Sequence, residues 1–385
     1  MAQRFHHIIG RLGLSFNIPC VMEPTPFGHS DLRRYVREVF EWTGIPAADA
    51  ELAADVLAYS DEHGIDSHGV ARLDTYFDLI IGGKINKNPM IRVVREKASV
   101  ATMDGDNGLG LIVGPRCNEI AMDKAGAYGS GWVSVCNTNH YGAAGYYPVQ
   151  ALARDLIGLS MTNTTKGVVP FNGREKMLGT NPIAIAFPAS TEKPLIIDMA
   201  SSTVAYGKVE IAERQGKSVP HGWCIDAHGH TTLDPIAMIQ GGALLPLGSD
   251  EAGSGHKGYC IATVVDLLSA VLSGANWGPF AVPFAIKGAP KEAKQVGKGI
   301  GHFFGAWDID GFQDPCIFKQ SVDEWIRVMR STPPLPGASE VLVPGEPEHR
   351  AYAIRLRDGI PLDPKVVDSL QRISKVSGVR MPAYH

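Results

Sequence analysis

The feature that most limits the fold of this chain is a change of sequence pattern near Lys87. Before it, apolar residues recur at helical spacing in three segments, which predicts helices over 30–44, 47–60 and 70–81. After it, short β-branched runs separated by glycine, such as IRVVRE, GWVSVCN and IAIAFPA, predict strands. A chain that contains both patterns is expected to be mixed α/β.

Helices and strands alternate irregularly over the rest of the chain. Further helices are predicted over 113–126, 149–156, 258–272, 321–330 and 363–376, and GHFFGAWDI predicts a late strand. This order of elements does not follow a regular βαβ repeat. Because 385 residues exceed what one hydrophobic core usually organises, we expect two domains or one elaborated domain, either of which leaves room for a cleft.

Composition argues against several classes of partner. The formal charge of −4 and the lack of a Lys/Arg-dense run argue against nucleic acid. The most apolar stretch, 259–274, contains Asp266 and is shorter than the roughly 20 residues that cross a bilayer, so we expect no membrane partner. The six cysteines are far apart and form no CxxC motif, which is typical of reduced thiols in a cytoplasmic protein.

The segment DEHGIDSHGVARLDTYF places His68, Arg72 and Tyr76 at intervals of four residues. If Ser67 begins the third helix, all three side chains project from one face. An imidazole that donates a proton and a guanidinium that holds a carboxylate are two groups that the reduction of a 2-oxo acid needs. The alternative is an exposed helix face that carries His and Arg by chance, and helix geometry alone favours it.

Two further candidates lie in the strand-rich region. His140, in NTNHYGAAGYY, follows the strand-like GWVSVCN, and strand-end loops commonly carry catalytic groups. A buried histidine with satisfied hydrogen bonds is the alternative. Lys166, in TNTTKGVVPFNG, is a candidate ligand for a carboxylate or a cofactor.

Small and polar residues in two more segments are candidates for ligand contacts. Thr180 and Asn181 belong to the turn GTNP, although turn chemistry alone explains that sequence equally well. Asp198 ends the apolar run PLIID and precedes Met199, Ala200 and other small residues that would let a ligand approach the backbone. Such an aspartate could orient a histidine, bind a ribose or cap the next helix.

The sequence GSGHKG over 253–258 has the spacing of a dinucleotide-binding glycine loop but lacks its context. No strand leads into it, and no acidic residue ends a second strand about 20 residues later. An ordinary Rossmann site is therefore not expected. A glycine loop with His256 and Lys257 at a helix N-terminus remains a candidate site for an anionic group.

The segment HGWCIDAHGH is the strongest candidate for a metal site. It holds five side chains that could ligate a metal: His221, Cys224, Asp226, His228 and His230. However, alternation along a strand would send them to opposite faces, and DAHGHTT has the Asp and Gly content of a hairpin turn. The hairpin is favoured, and no metal is expected.

Seven motifs in order resemble one known family. They are DSHGVARLDTY, NTNHYGAAGYY, LGTNPIAIAFP, DMASSTVAYGK, GWCIDAHGHTTLDP, HKGYCIATVVDLLSAVLSGA and GHFFGAWDIDGF. From about Pro26 to the C-terminal region, the chain resembles the type-2 malate/L-lactate dehydrogenases. That family includes malate, lactate, sulfolactate and ureidoglycolate dehydrogenases, together with reductases of 2,3-diketogulonate and cyclic imino acids.

The resemblance implies a fold and a domain layout. It implies a mixed α/β, non-Rossmann protein with a largely antiparallel cofactor-binding sheet domain and a helical domain built from the N- and C-terminal parts. The expected layout is a tail over 1–25, a domain for substrate binding and dimerisation over 26–118 and 295–385, and a cofactor-binding domain over 119–294. A homodimer that uses NAD or NADP is implied as well.

The resemblance also implies roles for residues that match its motifs. His68 and His140 match two family histidines, either of which would transfer the proton, and Arg72 matches the arginine that holds the substrate carboxylate. Tyr76 and, more approximately, Lys166 match positions that line the substrate pocket. Asp198, Met199, Ala200, Gly345 and Glu346 resemble cofactor-contacting positions of the family. The predicted cofactor site also includes Thr180 and Asn181 of the GTNP turn and His256 and Lys257 of the glycine loop.

Three residues depart from the family pattern. Asn172 stands where a second glycine is usual, Tyr206 replaces a common arginine, and Cys260 replaces a glycine. The change at Tyr206 could alter cofactor or substrate preference. None of the three removes a group proposed for proton transfer or carboxylate binding.

We therefore expect an NAD(P)-dependent oxidoreductase that transfers hydride between the nicotinamide and a small 2-oxo or 2-hydroxy carboxylic acid such as malate or lactate. One alternative within the family is a reductase of a cyclic imino acid or a diketo sugar acid. Others are a catalytically silent ligand-binding relative and a metal-dependent enzyme that uses His221, Cys224 and His228.

Overall fold

The computed structural model describes residues 25–284 and 294–384. Its α-helices are α1 His29–Trp42, α2 Ala47–Glu62, α3 Leu73–Ile81, α4 Gly110–Tyr128, α5 Tyr146–Ala151, α6 Tyr206–Arg214, α7 Pro235–Ile239, α8 His256–Asp266, α9 Pro315–Arg330, α10 Glu346–Asp358 and α11 Pro364–Ser377. Its strands are β1 Thr25–Phe27, β2 Arg92–Lys97, β3 Val100–Gly108, β4 Ser130–Thr138, β5 Leu156–Thr162, β6 Ile183–Phe187, β7 Leu195–Met199, β8 Cys224–Ile225, β9 Thr231–Thr232, β10 Ala243–Leu244, β11 Ile300–Asp308 and β12 Ile360–Leu362. The predicted tail over 1–25 falls, except for its last residue, outside the described ranges.

A seven-stranded mixed sheet forms the centre of the molecule, with strand order β2-β3-β4-β11-β5-β6-β7. Five of its six pairings are antiparallel, and only β3 and β4, which α4 connects, run parallel. The mixed α/β class predicted from the sequence is thereby confirmed. That this sheet binds a cofactor stays a prediction.

Helices cover both faces of the sheet. On one face, α4 and the α5 region bury Val113, Cys117 and Tyr147 against β3, β4 and Phe304 of β11. On the other face, Val265 of α8 packs on β5 and on Phe303 of β11. Because consecutive strand residues point to opposite faces, Phe303 and Phe304 serve different cores.

A separate helical layer lies against α4. The predicted apolar face of α1 is buried, and it packs with α2, α3 and α11 into the largest core of the described chain. The antiparallel ribbon β1–β12 closes this layer and joins the beginning of the described chain to its C-terminal region. The described sequence ends are therefore held together on the helical side of the molecule.

Several predicted boundaries are wrong by a few residues. The third helix begins at Leu73 rather than at residue 70, because Val70–Arg72 forms a 3-10 turn. The helix predicted over 149–156 ends with α5 and a short 3-10 turn, and β5 begins at Leu156. α9 begins at Pro315, six residues before its prediction, and α6, α10, β1 and β12 had no prediction.

The central sheet takes strands from both of the predicted domains. β2, β3 and β11 lie within 26–118 and 295–385, whereas β4 to β7 lie within 119–294. The layout into two domains stays a prediction.

Two general properties of the described ranges bear on function. No helix there is long and apolar enough to span a membrane. The five cysteines that these ranges contain are free thiols, and Cys20 lies outside them.

Candidate active site

His68 lies in the turn between α2 and α3 and not on a helix face. Gly69 has φ −89° and ψ −145°, an extended conformation that ends any helix entered at Ser67. The His68 N–H donates to the Ile65 carbonyl at 2.9 Å, and Arg72 Nε donates to the Ser67 carbonyl at 2.7 Å. The predicted helix through all three site residues is therefore wrong, although the turn keeps His68 and Arg72 close.

His140 lies in the loop that follows β4 and meets Tyr76 of α3. The Tyr76 hydroxyl is 2.6 Å from His140 Nδ1, and the Gly142 N–H donates to the same nitrogen at 3.3 Å. A backbone N–H can only donate, so Nδ1 is the acceptor and the proton of the neutral ring lies on Nε2. His140 therefore offers an N–H donor on its other edge.

The two imidazoles face each other. The rings of His68 and His140 are 5.7 Å apart between centroids and 19° from parallel. Burial, followed by the positive charge of Arg72, lowers the pKa of His68 to about 4. Burial, together with His68, Arg72 and His302, lowers the pKa of His140 well below its ordinary value. Both rings are therefore neutral at pH 7.

These side chains line a recess in the protein surface. Both histidines and Arg72 are only partly exposed, yet the surrounding protein desolvates the imidazoles strongly. Side chains that water reaches but protein surrounds lie in a depression and not on a convex face. Recesses with a few convergent polar groups and shifted pKa values are typical of ligand sites.

Phe284 completes this site from a distant part of the chain. Its ring stacks on His140 with centroids 4.2 Å apart and planes 4° from parallel, and it also contacts Tyr76. The Phe284 N–H donates to the Thr165 hydroxyl at 2.9 Å. Sequence reasoning missed Phe284, because the run AVPF around it carries no motif.

Lys166 follows Thr165 but faces a separate hollow. Its exposed side chain lines an open pocket of about 510 Å³ together with Arg174, Lys176 and His228. Neither His68 nor His140 lines that pocket. Lys166 is thus connected to the recess through Thr165 and Phe284, and its contact with a substrate stays a prediction.

Asp198 connects the end of β7 to the loop that carries His140. Its carboxylate accepts the Gly145 N–H at 2.7 Å. The Asp198 side chain reaches the surface, but the protein around it desolvates the carboxyl. This desolvation, opposed in part by the Gly145 N–H, raises the pKa of the carboxyl to about 6. The carboxylate therefore lies in the same kind of recess as the histidines, at the adjoining loop.

The other residues predicted to contact a cofactor surround Asp198. Met199 pairs with Ile183 across the β6–β7 ladder, and Ala200 follows it. Ser201 then donates from its N–H and hydroxyl to the Thr180 carbonyl. The fully buried Asn181 accepts the Thr164 N–H and donates to the Ala262 carbonyl of α8. The Asn181 side chain thus joins this loop to α8.

The last four predicted cofactor residues border the same region. His256 and Lys257 are the first residues of α8. Gly258 of the same helix packs against Leu247, and the Leu247 N–H donates to the Ser201 carbonyl, which connects this end of α8 to the Ser201 loop. Gly345, with φ +88°, packs its backbone on Ile196 of β7. The carboxylate of Glu346 receives hydrogen bonds from Arg350 and from the Val343 N–H.

This arrangement fits a dinucleotide better than a metal ion. The exposed carboxylate of Asp198 is hydrogen-bonded to the loop that carries His140, and a carboxylate is a suitable acceptor for ribose hydroxyls. Within the described ranges, no three His, Cys, Asp or Glu side chains are arranged to hold a metal ion. In the segment 221–230, Cys224 is buried, and β8 and β9 form the predicted hairpin.

Comparison with known proteins identifies the family of this chain. The family model described as Malate/L-lactate dehydrogenase matches residues 27–371. Malate dehydrogenase of Pyrococcus horikoshii is 41% identical over 90% of this chain and 93% of that protein. L-sulfolactate dehydrogenase of Methanocaldococcus jannaschii is 36% identical over 91% of this chain and 97% of that protein.

The fold agrees as well. The structure of malate dehydrogenase from Entamoeba histolytica superposes with a TM-score of 0.88 at 31% identity, covering 94% of this chain and all of that one. Fold, site and relatives together define an oxidoreductase of the hydroxy-acid dehydrogenase class. The chain belongs to the malate/L-lactate dehydrogenase family, which confirms the resemblance found in its sequence.

Proposed function

We propose that the protein transfers hydride reversibly between NAD or NADP and a small 2-oxo or 2-hydroxy carboxylic acid of the malate or lactate type. The observation that carries this proposal is the pair of facing imidazoles beside an arginine, with Asp198 hydrogen-bonded to the loop that carries His140. The family, whose dehydrogenases use a nicotinamide in general, supports the same reaction.

Arg72 would bind the carboxylate of the substrate. Its Nε is used by the Ser67 carbonyl, and within the described ranges no carboxylate forms an ion pair with its guanidinium. Its terminal nitrogens are thus left for an acid, and a guanidinium can hold a carboxylate through two parallel hydrogen bonds. A bound carboxylate would offset the charge of Arg72 and raise the pKa of His68 toward its ordinary value.

The two histidines would have different roles at the reacting oxygen of the substrate. His140 carries its proton on Nε2, and losing it would create an unstable imidazolate, so His140 would polarise the oxygen as a hydrogen-bond donor. His68 is then the group that gains and releases the proton as the substrate is oxidised or reduced. A neutral His68 is ready to accept the proton of a hydroxy acid.

The cofactor would lie along the Asp198 side of the recess. A bound nicotinamide supplies or accepts the hydride. Asp198, Thr180 and the backbone at Met199 and Ala200 would hold the nucleotide, and the N-terminus of α8 would favour its phosphates.

We further propose a homodimer. Exposed apolar residues recur along α8 and the π-helical turn after it: Val264, Leu267 and Val271 are 51%, 49% and 47% exposed. Such a stripe supports an interface with a second copy. Light scattering should give twice the mass of one chain; the mass of a single chain at all concentrations would contradict the homodimer.

The function is tested by following oxidation of NADH and of NADPH with pyruvate, oxaloacetate, sulfopyruvate, diketogulonate and cyclic imines. We expect turnover with at least one 2-oxo acid, and loss of turnover in the His68→Gln/His140→Gln double variant. The two cofactors in parallel decide between NAD and NADP. Lack of turnover with the whole panel would instead favour a silent ligand-binding relative.

A further inference from the structure

A buried carboxyl behind the active site has no part in the reaction proposed above. Asp61 lies in the last turn of α2 and is only 2% exposed. Its Oδ2 accepts the backbone N–H of Val70 at 2.8 Å, inside the protein. Val70 begins the 3-10 turn two residues after His68 and two before Arg72. The carboxyl therefore holds the backbone that joins the two site residues.

Gly69 makes this contact possible. A Cβ at Gly69 would lie 1.8 Å from Asp61 Oδ1 and 2.3 Å from its Cγ, so the carboxyl fills the space where any side chain would stand. The glycine and the aspartate are thus packed as a pair. Their contact fixes the extended conformation at Gly69 that turns the chain out of α2 and into α3.

Other contacts hold the turn on the other side of His68. Arg355 of α10 donates to the Asp61 carbonyl and binds the Asp66 carboxylate, and the His68 N–H donates to the Ile65 carbonyl. These contacts fix residues 61–68, while the Asp61 carboxyl fixes the peptide that follows His68. The position of the imidazole depends on both.

We propose that Asp61 is a positioning residue, whose carboxyl holds the Gly69–Val70 peptide and thereby sets the places of His68 and Arg72 for the reaction. The proposal rests on the proposed function for its kinetic consequences. Burial, opposed by the Val70 N–H, raises the pKa of Asp61 to about 8, with Asp66, Arg355 and Glu62 also facing it. At pH 7 the carboxyl is therefore mostly neutral, and asparagine is a close replacement.

A double-mutant cycle on kcat tests the contact. Asp61→Asn keeps an acceptor for Val70 and should stay within about threefold of wild type. Asp61→Ala and Gly69→Ala should each lower kcat by about tenfold to a hundredfold, because misplaced site residues lose their alignment with the substrate. In the double variant the added Cβ has room, so its kcat should fall no further than about threefold below that of Asp61→Ala.

Asp323→Ala is the matched control. Asp323 is another buried aspartate that accepts backbone N–H groups, here from Ser190, Thr191 and Glu192, but it lies on α9. Its loss should lower the melting temperature and leave kcat unchanged. Asp61→Ala should instead lower kcat at a comparable melting temperature. If Asp61→Ala does not fold, the comparison of Gly69→Ala with Asp61→Asn still decides.

An NMR titration of ¹³C-labelled histidine gives a readout that needs no substrate. The His68 resonance, assigned by its loss in His68→Gln, should titrate near pH 4 in wild type and Asp61→Asn. In Gly69→Ala its pKa should rise toward the ordinary value, because a displaced ring is better solvated. Wild-type kcat and an unmoved His68 pKa in both Asp61→Ala and Gly69→Ala would overturn the proposal. An inactive wild type would contradict only the proposed function.

Discussion

At the scale of single residues, the site depends on groups that the surrounding protein desolvates although they reach the surface. His68 and His140 are kept neutral by burial and by the nearby charge of Arg72. A neutral pair suits a dehydrogenase, in which one ring has to accept a proton when the hydroxy acid is oxidised.

The first prediction concerns pH. For oxidation of the cognate hydroxy acid at saturating cofactor, kcat/KM should stay level from neutral pH down to about pH 5 and fall only below it. The reason is that His68 has to be unprotonated to act as the base, and its pKa is lowered to about 4. A pH–rate profile measures this. A half-maximal value near the ordinary histidine pKa of about 6.5 would contradict a lowered pKa of the base.

The second prediction concerns Arg72. Arg72→Met should lower kcat/KM for the acid by about a hundredfold, since a charge-assisted pair contributes roughly 3 kcal/mol. It should also move the acid limb of the pH profile upward, because the positive charge that lowers the pKa of His68 is gone. Arg72→Lys keeps the charge but cannot form the two parallel hydrogen bonds. Its pH profile should therefore keep the wild-type acid limb, whereas its kcat/KM should stay close to that of Arg72→Met. Unchanged kinetics in Arg72→Met would exclude carboxylate binding there.

At the scale of elements, the close approach of α4 to the His140 loop holds one half of the site. A Cβ at Gly110, the first residue of α4, would lie 2.2 Å from the Asn139 carbonyl oxygen and 2.4 Å from that of His140. Both obstacles are backbone atoms. The helix and the loop can therefore be this close only with glycine at position 110.

The third prediction uses two glycines of this helix. Gly110→Ala should push the His140 loop aside, lower kcat about tenfold or more and destabilise the fold by roughly 1–3 kcal/mol. Gly126→Ala, where an added Cβ has nothing within 4 Å, should leave kcat unchanged and stabilise the fold by about 0.4–1 kcal/mol. Steady-state kinetics and urea unfolding measure both. Equal effects of the two substitutions would contradict the packing described for α4.

Elements also show what the sequence could and could not predict. The spacing of apolar residues predicts α1 correctly, and the β-branched runs predict strands such as β4 correctly. Both predictions depend only on the local sequence pattern. The placement of His68 on the third helix was wrong, since the extended Gly69, packed against the carboxyl of Asp61 eight residues earlier, separates His68 from α3. Phe284 was missed because only the tertiary fold brings it onto His140. Long-range contacts of this kind leave no periodicity to detect.

At the scale of the whole molecule, three distant segments meet at one place. The turn at His68 comes from the helical layer, the His140 loop follows a central strand, and Asp198 is the last residue but one of the edge strand β7. The seven ordered motifs indicated this convergence through their resemblance to a family, whereas the spacing of any one motif did not. Three strands separate β4 from β7 in the sheet, and the loop after His140 spans that distance, since its Gly145 N–H donates to Asp198.

The central claim is that the protein moves a hydride to the carbon beside a carboxylate. It is tested most directly with the nicotinamide, reduced and deuterated at C4, and the 2-oxo acid that gives turnover. We predict that NMR of the product will show deuterium at C2, transferred from one face of the nicotinamide only. His68→Gln should slow the transfer without changing that face. A product without deuterium from cofactor labelled on either face of C4, formed while the cofactor is oxidised, would contradict the account.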